Sequence, residues 1–433
     1  MISKPKSATA STVPPTLLLV MLGGGIGGIF FHLSRHSNPK SFLPETIGLL
    51  LAAGVLYVIA AYIVERYPLG WTALAIILGA ALAFRFSALS TEPALSSDVY
   101  RYQWEGRVQR AAINPYTAHP EALKHLALED PPHPLDTGRS TPTLYPPLSE
   151  WSFSWVRTIP GYKRLYTGLD VASMAVLLLL LKIRKQPRAR VLMYAWNPGV
   201  VVAFAMCGHH DSLAILALLA ANLFIIRKLE TLSIFFLALS FLSKFFAGLF
   251  LPLFLKRTGW AQGGLFLAMI AAAYVPYASA GSKLLDGLVQ YAAGWENNDS
   301  LYRLFLLAGN SKAQAGLISG ILLAALLAYV LKRRLEPLHA GLVLMTGLLL
   351  LSPNAFPWYF TWVIPFLCFY PHPPLLLLSV TCVLGYSPLV AYAAGEQYTD
   401  LPLIMVLEYA PVLLWLSYLA ARQTGNSKIE NRV

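Results

Sequence analysis

The chain has 433 residues, of which 56% are hydrophobic and 12% charged, against about 25% charged in an average soluble protein. A mean hydropathy of +0.57 excludes a water-soluble globule, because no single core of this length could hide so much apolar surface; it also excludes disorder. The 33 basic and 21 acidic residues leave a net charge of +12, which in a membrane protein reports cytoplasmic loops and lipid headgroups rather than nucleic acid.

The chain opens with Lys4, Lys6 and an apolar run from Thr16 to Leu33 with no small-residue cleavage site behind it, so the reading is an uncleaved first span. The pattern predicts an all-α polytopic membrane protein of about twelve spans (11–13), a single domain over 1–433. The expected spans are 16–33, 45–64, 70–88, 164–182, 191–207, 211–226, 260–279, 313–331, 338–353, 357–371, 374–393 and 403–421, several of them short of the roughly 20 residues a bilayer needs. The stretch 231–255 carries Ser243-Lys244 at its middle and fits a hairpin of two half-helices returning to one side.

Residues 182–190 (KIRKQPRAR) hold five Lys/Arg and should be cytoplasmic. Counting outward puts Arg227-Lys228, Lys256-Arg257, Lys332-Arg333-Arg334 and both termini on the same side, provided 231–255 is a hairpin; Arg35 and Lys40 oppose the scheme. The segment 89–163, the turn at 208–211, the segment 280–312, the turn at 353–358 and the segment 394–402 then emerge on the outer face. The expected location is the cell (inner) membrane, with the site facing the periplasm or outside.

The chemistry collects in those outer pieces. SSDVYRYQWEGRVQRAAINPY (96–116) sets Asp98, Arg101 and Glu105 on one face of a helix that ends at Asn114-Pro115-Tyr116. It reads either as an interfacial amphipathic helix or as part of a site. TPTLYPP (141–147) offers Tyr145 where two prolines lead the chain back into the membrane. GHHDSLA (208–214) opens a membrane helix with His209, His210 and Asp211; a capping acid is the plain alternative, and adjacent histidines face apart, which weakens a metal reading. Lys244 within an apolar run costs about 2.5–3.5 kcal/mol on insertion scales and must face protein, water or an anion. Arg85, near the outer end of the third span, is expected to snorkel. WENNDSLYR (295–303) supplies Asp299 and Arg303, and PNAFPWYFTW (353–362) supplies Trp358, Tyr359 and Trp362, either an aromatic belt or faces for sugar rings. Cys207, Cys368 and Cys382 lie in apolar runs and read as free thiols. GGGIGG (23–28), inside the first span, reads as a helix-packing device.

Taken in order, SSDVYRYQWEGRV, INPY, TLYPPL, R-x-x-x-x-YAWNP at 190–198, GHHDSL, LSK and SPNAFPWYFTW resemble the multi-spanning bacterial GT-C glycosyltransferases over about residues 80–370. These are mannosyltransferase-like enzymes that take sugar from a polyprenyl-phosphate donor at the outer face of the cytoplasmic membrane. The resemblance implies that loop 89–163 is the catalytic loop and that its acid, here Asp98, is the base. WDGR is frequent where this chain has Trp104-Glu105-Gly106-Arg107, and GHND where it has Gly208-His209-His210-Asp211.

The expected activity is transfer of a hexose, mannose favoured, from a polyprenyl-phosphate donor to a glycolipid or glycan acceptor. One base opposite the leaving phosphate gives inversion. Arg101, Lys244 and Arg303 are the expected phosphate cations; His209 and Asp211 would position sugar or acceptor, and Glu105, Tyr145 and Trp358 complete the expected substrate contacts. Membrane lipids are the other expected partner. No cofactor is called for, and metal dependence stays open. A transporter or flippase for a lipid-linked sugar is the alternative; it would show internal repeats, which the sequence lacks.

Overall fold

The computed structural model describes residues 13–35, 42–123 and 139–430, which are mostly helical, with no strand among them. Lys4, Lys6, Lys40 and residues 124–138 of the outer loop lie outside that set. The first three helices are α1 (Pro15–Ser34), α2 (Leu43–Arg66) and α3 (Trp71–Leu89). The glycine run of α1 is the contact between them: a β-carbon at Gly23 would lie 2.9 Å from the ring of Trp196, and one at Gly25 2.9 Å from Leu56 Cδ1. Removing side chains here lets the backbones approach, which is how helices gain contact where lipid supplies no hydrophobic driving force.

Next come α4 (Asp98–Arg110), α5 (Pro147–Trp155) and α6 (Ile159–Ile183). Gly106 is where α4 meets α5: a β-carbon there would sit 2.2 Å from the carbonyl oxygen of Phe153. The close approach packs the two helices of the outer loop against each other. α6 starts at the Thr158 cap, whose hydroxyl accepts the Gly161 N–H.

Among the described residues eight helices are long and apolar enough to cross a membrane, and a pair bent by 60°, Arg188–Ala195 with Pro198–Met206, would make a ninth. The polytopic all-α expectation stands, while the count of about twelve full-length spans is not reached by these helices, for two physical reasons. Proline breaks the chain: Asn197, before Pro198, leaves the helical region (φ −62°, ψ 121°), and its side chain caps Val200 instead. The expected span 357–371 is likewise no continuous helix but a 3₁₀ segment, Pro357–Trp362, followed by one α turn, Ile364–Leu367, buried in the core. The second reason is length. The helices α7 (Asp211–Ile226), α8 (Glu230–Ser243) and, later, α11 (Pro337–Leu351) have 16, 14 and 15 residues. At about 1.5 Å per residue they cover less than the roughly 30 Å of a bilayer core.

The stretch around Lys244 turns back on itself. α8 ends where Lys244 takes an extended conformation (φ −149°, ψ 129°), and the chain returns through Phe245–Phe250 and Leu251–Thr258. The amide of Gln262, just past the return, donates to Thr231 Oγ1 at the start of α8 (3.4 Å), so both ends of the excursion are at one side. α9 (Gln262–Tyr274) follows, then α10 (Lys312–Lys332), α11 and α12 (Pro402–Glu430). Lys256 donates to the Leu331 carbonyl and Arg257 to that of Leu335, both at 2.9 Å, and Arg184 pairs with Glu336 at 2.9 Å. The basic loops at 182–190, 256–257 and 332–334 are therefore gathered at one end. Asp211 begins α7 and Lys244 follows the antiparallel α8, so these two lie toward the other end.

Arg85 does not snorkel. It is 1% exposed and locked inside, with Nε 2.5 Å from Asp170 Oδ2 and Nη1 donating to the Ala195 carbonyl at 2.8 Å. A guanidinium between helices finds a better partner in a buried carboxylate than in the interface.

Candidate active site

Asp98 is the first residue of α4, and its own N–H is held by Ser96 Oγ at 3.3 Å. One helical turn on, the Tyr102 hydroxyl lies 3.4 Å from Asp98 Oδ2. His209 Nδ1 lies 3.6 Å from the same oxygen and 3.4 Å from the tyrosine hydroxyl, closing a triangle. His209 and Tyr102 are fully buried, whereas the Asp98 side chain is 33% exposed. Among Asp98, Glu105 and Asp211 it is the carboxylate a substrate can reach, since the other two are 0% exposed.

Asp211 opens α7 with its Oδ1 accepting from Trp362 Nε1 at 2.8 Å and standing 3.3 Å from Lys244 Nζ. The lysine is placed there by the hairpin tip. Its ammonium is ringed by Tyr359 (5.1 Å to the centroid), Trp362 (5.7 Å) and Tyr145 (5.9 Å), a cation–π cage that offsets desolvation. Tyr359 is fixed by a 2.9 Å hydroxyl contact with Tyr291, and Trp358 stacks on His209 at 4.3 Å. His210 stands edge-on to Tyr102, Tyr145 and Phe153, at centroid distances of 5.0, 5.0 and 5.4 Å. Among the described residues no group of three or more His, Cys, Asp or Glu side chains is arranged to hold a metal ion.

The structure thus brings Asp98, Tyr145, His209, Asp211, Lys244 and Trp358 into one group. Arg101 and Glu105 lie just behind it and face each other: Arg101 Nε meets Glu105 Oε1 at 2.6 Å, a second guanidinium nitrogen donates to the Thr141 carbonyl at 2.9 Å, and the guanidinium lies 4.9 Å from the Trp104 ring centroid. This pair ties the outer loop together. Arg303 pairs at 3.0 Å with Asp299 one turn before it. Tyr102 and Tyr291 were not among the expected site residues; the i, i+4 spacing of Asp98 and Tyr102 was the available signal.

Burial pushes the Asp98 carboxyl up to about 6; the Lys244 charge works against this and the Asp211 carboxylate adds to it. A carboxylate of this basicity suits proton abstraction near neutral pH.

Residues 17–259 match the family model for the alpha-(1->6)-mannopyranosyltransferase N-terminal domain (MptA_B family), and residues 292–421 match the MptB C-terminal domain. The chain belongs to this family. No curated protein and no solved structure gives a significant match. The enzyme reading therefore replaces that of a transporter, and the group around Asp98 is to be understood as part of a membrane-embedded mannosyltransferase. All of its members named above, except Tyr291, fall within the two matched regions.

Proposed function

We propose that this mannosyltransferase moves mannose from a polyprenyl-phosphate donor to a hydroxyl of a glycan or glycolipid at the outer face of the cell membrane, with Asp98 as general base. The observation that carries the reading is one group that holds a reachable carboxylate, Asp98, and a lysine, Lys244, kept in an aromatic cage and near enough for its charge to act on that carboxylate. A sugar phosphate leaves as an anion and needs its growing charge neutralised; Lys244 supplies the cation in a site walled by aromatic rings. A single base then suffices, unlike the carboxylate pair of a glycosidase, and attack from the face opposite the phosphate inverts the anomeric centre. Asp211 holds Lys244 and Trp362 in place, and Trp358 with His209 offers a flat face for a sugar ring. The prenyl tail would rest against the poorly buried helices of 262–294 and 312–332.

The basic end of the bundle supports the sidedness by the positive-inside rule. A reporter that works only outside the cytoplasm is expected to be active when fused after residue 120 and silent when fused after residue 186. The reverse pattern would put the site on the cytoplasmic face.

The pH profile tests the chemistry. Asp98 must be ionised to act, so kcat/KM should rise with pH through about 6 and level off above it. Lys244 lowers the Asp98 pKa, so Lys244→Met should cut activity and also move the acid limb of the residual activity to higher pH. A limb that stays in place would separate the lysine from the base.

A further inference from the structure

Away from Asp98, segments 295–300 and 352–356 run briefly in parallel. Asn297 N–H donates to the Pro353 carbonyl (3.0 Å) and Ala355 N–H to that of Asn297 (2.9 Å). Asn297 and Asn354 are the paired residues of this bridge, so their side chains stand together on one face. They are 1% and 5% exposed. The Asn354 amide is oriented by its donation to the Trp295 carbonyl at 2.7 Å, which leaves Oδ1 with no partner among the described residues. The Asn297 amide meets the Tyr398 hydroxyl at 2.6 Å, and whichever way that amide is turned, one of its two polar atoms is left over. Asp299 Oδ2 is unpartnered too. Buried polar atoms are nearly always paired, so three leftovers in one junction ask for a ligand.

The chemistry of that ligand follows from what is missing. The unpaired atoms are chiefly acceptors, and no metal-holding group stands here among the described residues. They call for hydroxyl donors. An indole is at hand: Trp295 packs at a tilt against Tyr291 (centroids 5.8 Å apart, planes 31° apart), whose hydroxyl meets that of Tyr359, the ring facing Lys244. Amides that take hydroxyls beside a ring that takes a C–H face are the makings of a sugar subsite. The junction is covered by residues 396–401, which form no helix and are tied here by Tyr398, 38% exposed, and by Asp400 Oδ2, which accepts the Asn298 N–H at 2.9 Å.

We propose that Asn297 and Asn354, with Trp295, form a second carbohydrate subsite, one that receives a hexose unit of the acceptor glycan set back from the reacting hydroxyl, with Tyr398 giving way to a sugar hydroxyl. The subsite rests on the mannosyltransferase reading for the identity of the sugar. The test is calorimetric titration of the full-length protein in detergent, without donor, using methyl α-mannoside and α-(1->6)-linked mannotriose. The trisaccharide is expected to bind at least about tenfold tighter than the monosaccharide. Asn354→Leu should abolish that gain and leave monosaccharide binding unchanged. Tyr398→Phe, which keeps the ring and removes only the hydroxyl, should tighten trisaccharide binding a few-fold, because Asn297 no longer has to release a partner. No gain with length in the unmodified protein overturns the subsite; so does a gain that survives Asn354→Leu, or a trisaccharide affinity unmoved by Tyr398→Phe. Binding is read without turnover, so a protein that binds the trisaccharide through Asn354 yet transfers no mannose keeps the subsite and loses the proposed donor chemistry. One that transfers mannose without any length-dependent gain does the opposite.

Discussion

Asp98→Asn is expected to lower the rate of mannosyl transfer by about 10²–10⁴-fold while the protein purifies and melts as the unmodified chain does. The change keeps the shape of the side chain and its contact with Tyr102, and removes the lone pair that would take the acceptor proton. The folding cost should be small for a stated reason: a third of this side chain is exposed, and its polar neighbours stand at 3.4 and 3.6 Å, which is too loose to hold the fold. Donor affinity should change little, because the donor's phosphate is assigned to Lys244. A variant that keeps most of its kcat would remove Asp98 from the chemistry.

The second large effect is on stability. Arg85→Leu should destabilise the protein by about 3–5 kcal/mol, since it leaves the Asp170 carboxylate, 0% exposed, buried without its counter-charge. Arg85 also donates to the Ala195 and Ala81 carbonyls at 2.8 and 3.1 Å, so its loss unties α3 from both α6 and the bent segment at 188–206. The double variant Arg85→Leu with Asp170→Leu should recover a good part of the loss, because it removes both charges together. Thermal unfolding in detergent of the two single variants and the double one measures this. A single variant as stable as the unmodified chain would show that the pair is dispensable.

Much of this organisation was legible in the residues because polar groups are rare in so apolar a chain. Asp98, Asp211 and Lys244 stood out on that ground, and Lys244 in mid-run pointed correctly to a break in the helix. The bundle's topology was not legible. Lys244 meets Tyr359 and Trp362 across more than a hundred residues, and nothing in either segment names the other. The misplacement of Arg85 had a signal that went unused: Asp170 is a lone acid inside the apolar run 164–182, and such a group calls for a buried partner. The pairing of Arg303 with Asp299, one helical turn before it, has the spacing of a helical ion pair and was legible in the sequence. Full-length helices are fewer than the apolar runs because prolines at 198, 357 and 365 break runs that hydropathy alone could not divide.

The measurement that bears most directly on the whole account is transfer of labelled mannose to a mannoside by the purified protein in proteoliposomes, supplied in parallel with polyprenyl-phosphate mannose and with a nucleotide-linked mannose. Product is expected from the lipid-linked donor alone, and is expected to be lost on Asp98→Asn. Turnover with the nucleotide donor, or an undiminished rate in the variant, would contradict it.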